Sequence, residues 1–164
     1  MGVGRKGKTR DGAGRGEGNG TLGSVGQLIT TSPEETEAVA ARLGARVGPG
    51  DLLLLVGELG AGKTTFVRGL ARGMGVAGQV MSPTFQLVRV YPGSVPLAHV
   101  DLYRLGQGAD LADLDLDGLL DAGVVAVEWG DRLEASEDAV QVVIEPLDQR
   151  RRRLILGGPN GWSW

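Results

Sequence analysis

The chain has 164 residues, 41% of them apolar and 23% charged, which fits one globular domain with a buried core and leaves no room for two large ones. It has no cysteine and one histidine, His99, so disulfide scaffolds, disulfide-linked partners, thiol nucleophiles and multi-histidine metal sites are excluded. The longest aliphatic run, Leu52–Val56, is far short of a bilayer span and no secretory pattern follows the basic N-terminus, so the expectation is a soluble, cytoplasmic protein without a membrane partner.

Ten of the 29 glycines fall in residues 1–26, where five basic side chains face two acidic ones. So apolar-poor a stretch cannot bury enough surface to offset ordering it, and a disordered, glycine-rich basic tail is expected there. Removing its +3 from the total of −3 leaves residues 27–164 at −6, an acidic domain with no general footprint for nucleic acid. The basic run Arg150–Arg153 is read as a solvated sheet edge, since charge on an edge strand discourages pairing with another chain.

Leu28-Ile29-Thr30 reads as a short strand. Ser32-Pro33-Glu34-Glu35 then opens a helix with an N-cap serine, proline at the first helical position and glutamate at the third, and the helix is expected to reach about Val47. After the break at Gly48-Pro49-Gly50, Leu52–Val56 has the continuous apolar character of a strand buried on both faces. A glycine-rich turn leads into a helix over Thr64–Met74, and strands are expected over Phe85–Tyr91, Leu97–Leu102 and Val124–Trp129. Between the last two, leucines at 111, 114, 116, 119 and 120 among five aspartates predict one or two short helices with an acidic outer face. Two more strands, Val140–Glu145 and Arg153–Leu156, precede a terminus over 158–164 expected to fray. The order is α/β: a single P-loop NTPase-like domain over 27–157, with a mixed, mostly parallel central sheet flanked by helices.

The strongest chemical motif is Gly57-Glu58-Leu59-Gly60-Ala61-Gly62-Lys63-Thr64, which satisfies G-x-x-x-x-G-K-[ST] between a buried strand and a helix. Glycines let the backbone aim successive N–H groups at phosphate oxygens, and the following helix adds the positive end of its dipole. Lys63 neutralises the β- and γ-phosphates and the Thr64 hydroxyl can ligate magnesium, so ATP or ADP with Mg2+ is the expected ligand. Residues 27–164 contain twelve basic side chains, and Lys63 is the one lysine among eleven arginines. Such a site also needs a carboxylate at the end of a neighbouring strand. Asp101 and Glu128 each end an apolar run, and either alone could simply be a surface acid closing a strand. Together, downstream of a P-loop, they suggest a paired metal and water-positioning role. Ser82-Pro83-Thr84 is equally compatible with an ordinary proline turn, and His99 is read as a packed strand residue rather than a catalyst.

These motifs together resemble the bacterial TsaE (YjeE) family, small P-loop ATPases of tRNA threonylcarbamoyladenosine biosynthesis. The resemblance spans about residues 28–145 and rests on Ser32–Thr36, Gly57–Thr65, Ser82-Pro83-Thr84-Phe85, His99–Leu105 and Val127-Glu128-Trp129. It implies phosphate binding by Gly57–Thr65, with Lys63 on the phosphates and Thr64 and Glu128 at the magnesium. Asp101 becomes the acid at the γ-phosphate side and a third metal-site candidate, Thr84 part of a switch-like loop, and Trp129 a neighbour of the nucleotide. Lys63, Asp101 and Glu128 are then the catalytic set. The resemblance further implies TsaD and TsaB as partners, with tRNA reached indirectly through their complex. Among rivals, a GTPase lacks an Asn-Lys-x-Asp element and a small-molecule kinase lacks room for a substrate insert and lid. A nucleotide-gated interaction module overlaps with the family's own behaviour.

Overall fold

In a computed structural model, which describes residues 25–83, 86–105, 114–134, 136–159 and 162–163, the leucine run at 52–55 lies in the middle of a seven-stranded sheet. In chain order the elements are β1 (Gly26–Thr30), α1 (Pro33–Gly44), β2 (Leu52–Val56), α2 (Lys63–Met74), β3 (Val88–Tyr91), β4 (Leu97–Asp101), α3 (Leu116–Ala122), β5 (Val124–Glu128), β6 (Val140–Pro146) and β7 (Arg152–Gly157). A single 3-10 turn, Gly130–Arg132, follows β5. The tail expected at the N-terminus falls outside the described residues up to 24. So do Thr84, Phe85, residues 106–113 with the first part of the Leu/Asp stretch, and Trp164.

The strands are ordered β1-β7-β6-β2-β5-β4-β3. β6, β2, β5 and β4 are parallel neighbours, whereas β7 and β3 run the other way and β1 reverses again beyond β7. Five of the seven described strands therefore point in one direction, as expected of a mixed, mostly parallel sheet. Because side chains alternate along a strand, β2 serves two cores. Leu53 and Leu55 pack with Phe66 and Leu70 of α2, whereas Leu52 and Leu54 pack with Val125, Val127 and the leucines of α3. Helices on both faces explain why the strand reads as uninterrupted leucine.

α1 begins as its sequence directs. Ser32 Oγ accepts from the Glu35 N–H at 3.2 Å, while the Glu35 carboxylate reaches back one residue further than a simple capping box, to the Thr31 N–H at 2.6 Å and hydroxyl at 2.9 Å. The helix stops at Gly44 rather than at Val47. α1 and α2 cross backbone on backbone: a Cβ at Gly69 or Gly73 would lie 2.3 or 2.0 Å from carbonyl oxygens of Glu37 or Ala41. The contact fixes α2, and with it the loop that opens it.

The structure corrects the reading of Arg150–Arg153. Arg152 and Arg153 belong to β7, which is an inner strand held on both sides, with Leu154 opposite Leu28 of β1 and Ile144 of β6. The edges are β1 and β3. The strand that covers β7 comes from the other end of the domain, so nothing local to 150–153 announces it. At the C-terminus, where fraying is expected, Trp162 packs against the α1/α2 core and over Gly158, and Arg46 donates to the Ser163 carbonyl at 3.1 Å.

Candidate functional site

The parallel strands end level with one another. Leu55 of β2 lies opposite Glu128 of β5, and Glu128 opposite Asp101 of β4. The loop Gly57–Gly62 therefore leaves β2 beside two carboxylates, at the carboxyl edge where open α/β sheets hold ligands. Gly60 (φ +78°) and Gly62 (φ +111°) occupy the left-handed region that favours glycine. α2 starts at Gly62 with no side-chain cap and no acid in its first turn, in contrast to the capped α1, so its leading N–H groups are available to an anion.

Lys63 is buried and folds back over the loop, donating to the Gly57 and Glu58 carbonyls at 2.6 and 2.9 Å. Its ammonium lies 4.0 Å from the centre of the Trp129 ring. Burial holds its pKa below the usual lysine value, against the opposing pull of Glu128, Asp101, Asp131 and Glu58. Next to it the Thr64 hydroxyl donates to Glu128 Oε1 at 2.6 Å, and His99 Nε2 donates to the same oxygen at 2.8 Å. Asp101 is held by the Ser82 hydroxyl at 3.1 Å and the Tyr103 N–H at 2.9 Å.

Lys63, Thr64, Asp101, Glu128 and Trp129 all line one cavity of about 590 Å³. A second, of about 400 Å³, lies beyond the loop between the start of α1 and the β6–β7 turn, and shares Gly60, Gly62 and Thr65 with the first. Arg152 lines it and donates to the Ala61 carbonyl at 2.9 Å, tying β7 to the phosphate loop.

Trp129 has φ 60° and ψ 42°, the left-handed conformation, and no other non-glycine residue among those described has a positive φ. Bulky residues occupy that region at a cost and where the surroundings hold them there. Here the hold is visible. Tyr103 lies 5.3 Å from the Trp129 ring and the Arg132 guanidinium 5.1 Å above it. Arg132 Nη1 donates to the Leu102 carbonyl, to that of Tyr103 at 2.7 Å and to that of Leu105 at 2.9 Å. One guanidinium thus binds the segment after Asp101 to the segment after Glu128.

The arrangement suits a nucleoside phosphate and magnesium: unshared helix N–H groups, a buried ammonium, and a hydroxyl–carboxylate pair at one wall. Among the described residues no three histidine, cysteine or acidic side chains cluster to hold a metal. Magnesium commonly takes only one or two protein ligands, the rest of its shell being water and phosphate oxygens. All the sequence-predicted site residues gather at this edge apart from Thr84, which lies outside the described residues; Leu59 is present as an exposed side chain at the rim. Sequence reasoning did not single out Arg132, and it read Arg152 only as part of a charged sheet edge; each reaches this edge through remote backbone carbonyls. The bond from His99 to Glu128 was missed too, although His99 and Asp101, two apart on one strand, must share a face.

The family model described as Threonylcarbamoyl adenosine biosynthesis protein TsaE matches residues 30–154. A tRNA threonylcarbamoyladenosine biosynthesis protein TsaE of Streptomyces coelicolor is 50% identical, over 74% of this chain and 90% of its own. Its counterpart from Bacillus subtilis is 41% identical over 77% and 82%, and that from Mycobacterium tuberculosis 38% over 99% and 96%. Among solved structures, Bacillus subtilis YdiB superposes with a TM-score of 0.71 at 34% identity, covering 84% of this chain and 88% of its own.

Proposed function

Because the chain belongs to the TsaE family, we propose that it is a P-loop ATPase serving the threonylcarbamoylation of adenosine 37 in tRNAs that read codons beginning with A, together with TsaD and TsaB. The observation that carries the ATPase reading is the meeting of Lys63, the Thr64–Glu128 pair and Asp101 around one cavity.

On this reading the amides of Gly57–Thr65 and Lys63 bind the phosphates, and Lys63 leaves the Gly57 and Glu58 carbonyls to do so. Thr64 and Glu128 would hold magnesium, with Asp101 close by on the terminal-phosphate side, and the ion would supply positive charge against the phosphate oxygens. Asp101 orients the water that attacks the terminal phosphorus, the phosphoanhydride bond breaks, and ADP and phosphate leave. Thr84 belongs to a loop responsive to the terminal phosphate, and Trp129 flanks the bound nucleotide. The acidic balance of residues 27–164 favours transmission of ATP energy to other proteins over direct binding of tRNA.

Depleting the protein in its own bacterium and digesting the tRNA to nucleosides tests the pathway. Threonylcarbamoyladenosine should fall, and a Lys63→Ala copy should fail to restore it. Unchanged modification would defeat the pathway assignment.

A further inference from the structure

His99 is entirely buried, and Glu128 is 4% exposed. Histidine is a poor core filler unless both ring nitrogens find partners, because an unpaired buried polar atom keeps its desolvation cost. Here only one does. Nε2 donates to Glu128 Oε1, while Nδ1 is buried without a partner. Along β4 and β5 its same-face neighbours are Leu97 and Ala126, both in the apolar core, and the acids Asp101 and Glu128 at the site end, with Arg89 of β3 opposite it; of these polar groups only Glu128 is bonded to its ring.

The single bond that His99 does make falls on a specific atom. Oε1 of Glu128 receives both the Thr64 hydroxyl and the His99 ring, from opposite ends of the site, while no described side chain is bonded to Oε2. Two donors on one oxygen fix the rotation of the carboxylate and leave its other oxygen without a described side-chain partner. An orphaned nitrogen beneath a buried acid is a local defect that stability does not explain and orientation does.

We propose that His99 is a positioning residue for Glu128, setting the carboxylate in the orientation that magnesium requires. The inference rests on the nucleotide reading above. It assigns His99 no contact with nucleotide, metal or reacting atoms. Partners that orient ligating groups through hydrogen bonds contribute about 10–100-fold to metal affinity, which sets the scale of the effect.

The test uses the full chain as wild type, His99→Leu, His99→Gln and His99→Asn, with calorimetry of ADP binding across a magnesium series and a thermal melt of each. The Gln amide nitrogen reaches the place of the ring Nε2, whereas the Asn amide stops short of it. All variants should bind ADP equally without magnesium. The magnesium concentration that gives half of the gain in ADP affinity should rise roughly 10–100-fold in His99→Leu and His99→Asn and stay within about threefold of wild type in His99→Gln. If His99→Leu does not fold, the Gln and Asn pair, equal in polarity and different in reach, decides alone. A wild-type magnesium midpoint in His99→Leu, or Gln and Asn variants that behave alike, overturns the positioning role and leaves the nucleotide site standing. ADP binding by wild type that ignores magnesium overturns the nucleotide reading and this inference with it.

Discussion

Lys63 rests on the carbonyls of its own loop and under Trp129, so phosphate must outcompete two backbone oxygens and an indole face. Losing a charge-assisted contact costs about 1.5–3 kcal/mol, and Lys63→Ala should therefore weaken ADP binding more than tenfold by calorimetry. Binding within twofold of wild type would refute the assignment. Glu128→Gln and Asp101→Asn should instead depress ATP turnover by much more than ADP affinity, since on the proposed reading loop amides and Lys63 carry most of the phosphate binding. Turnover equal to wild type in either variant would remove that acid from the chemistry. The phosphate loop and both acids were legible in the sequence because each ends an apolar run at a fixed place in the α/β order. His99 was not. Alternation put it opposite Val100, but only the pairing of Asp101 with Glu128 brings its ring to that acid. Arg132 gave no signal, since what it binds is backbone.

At the level of elements, the loop is held from two sides. From below, α1 and α2 touch through Gly69 and Gly73, and a methyl group at Gly73 would sit 2.0 Å from the Ala41 carbonyl oxygen, where no flexible side chain can yield. Gly73→Ala should cost at least the roughly 1–3 kcal/mol typical of overpacking, seen as a melting temperature lower by several degrees. An unchanged melt would mean that the helices separate without cost. From the side, the β6–β7 turn positions Arg152 against Ala61, and Asp148 organises that turn. Its Oδ1 accepts the Arg150 and Arg151 N–H groups and its Oδ2 the Arg151 guanidinium, which lowers its pKa from 3.8 to about 2. A carboxylate more acidic in the folded chain stabilises it fully above the unfolded pKa, and that contribution disappears as pH falls through about 2. Carbon NMR of the Asp148 carboxyl should give a midpoint near 2, and a midpoint at 3.8 would contradict the turn's hydrogen bonds. The sequence places both strands of this hairpin correctly but assigns its arginines to an edge. Edge position is a property of the whole sheet, decided here by β1 from the far end of the domain.

Across the whole molecule, the two acids and the Trp129 platform lie on two segments that one guanidinium joins. Asp101 leads into Leu102–Leu105, Glu128 into Trp129–Arg132, and Arg132 bonds the carbonyls of the first from within the second. The two segments are thereby tied together, and Tyr103, 47% exposed, lies against Trp129 where they meet the surface. Among the described residues Arg104 is the one arginine lining the phosphate cavity, and on the proposed reading Lys63 and magnesium would meet most of the charge developing on the terminal phosphate. P-loop enzymes without an arginine finger in place turn over slowly, and one supplied by a partner accelerates them by about 10³–10⁵-fold. The chain alone should therefore hydrolyse ATP slowly, and adding TsaD and TsaB should raise its turnover at saturating ATP. Arg132→Ala should lower that stimulation by a larger factor than it lowers ADP affinity, because it uncouples the two segments and reaches Lys63 only through the Trp129 ring. A phosphate-release assay with and without the partners decides the matter. Full stimulation of the Arg132→Ala protein would show that the partners act on the phosphate site directly, and fast turnover by the isolated chain would remove the need for partners altogether.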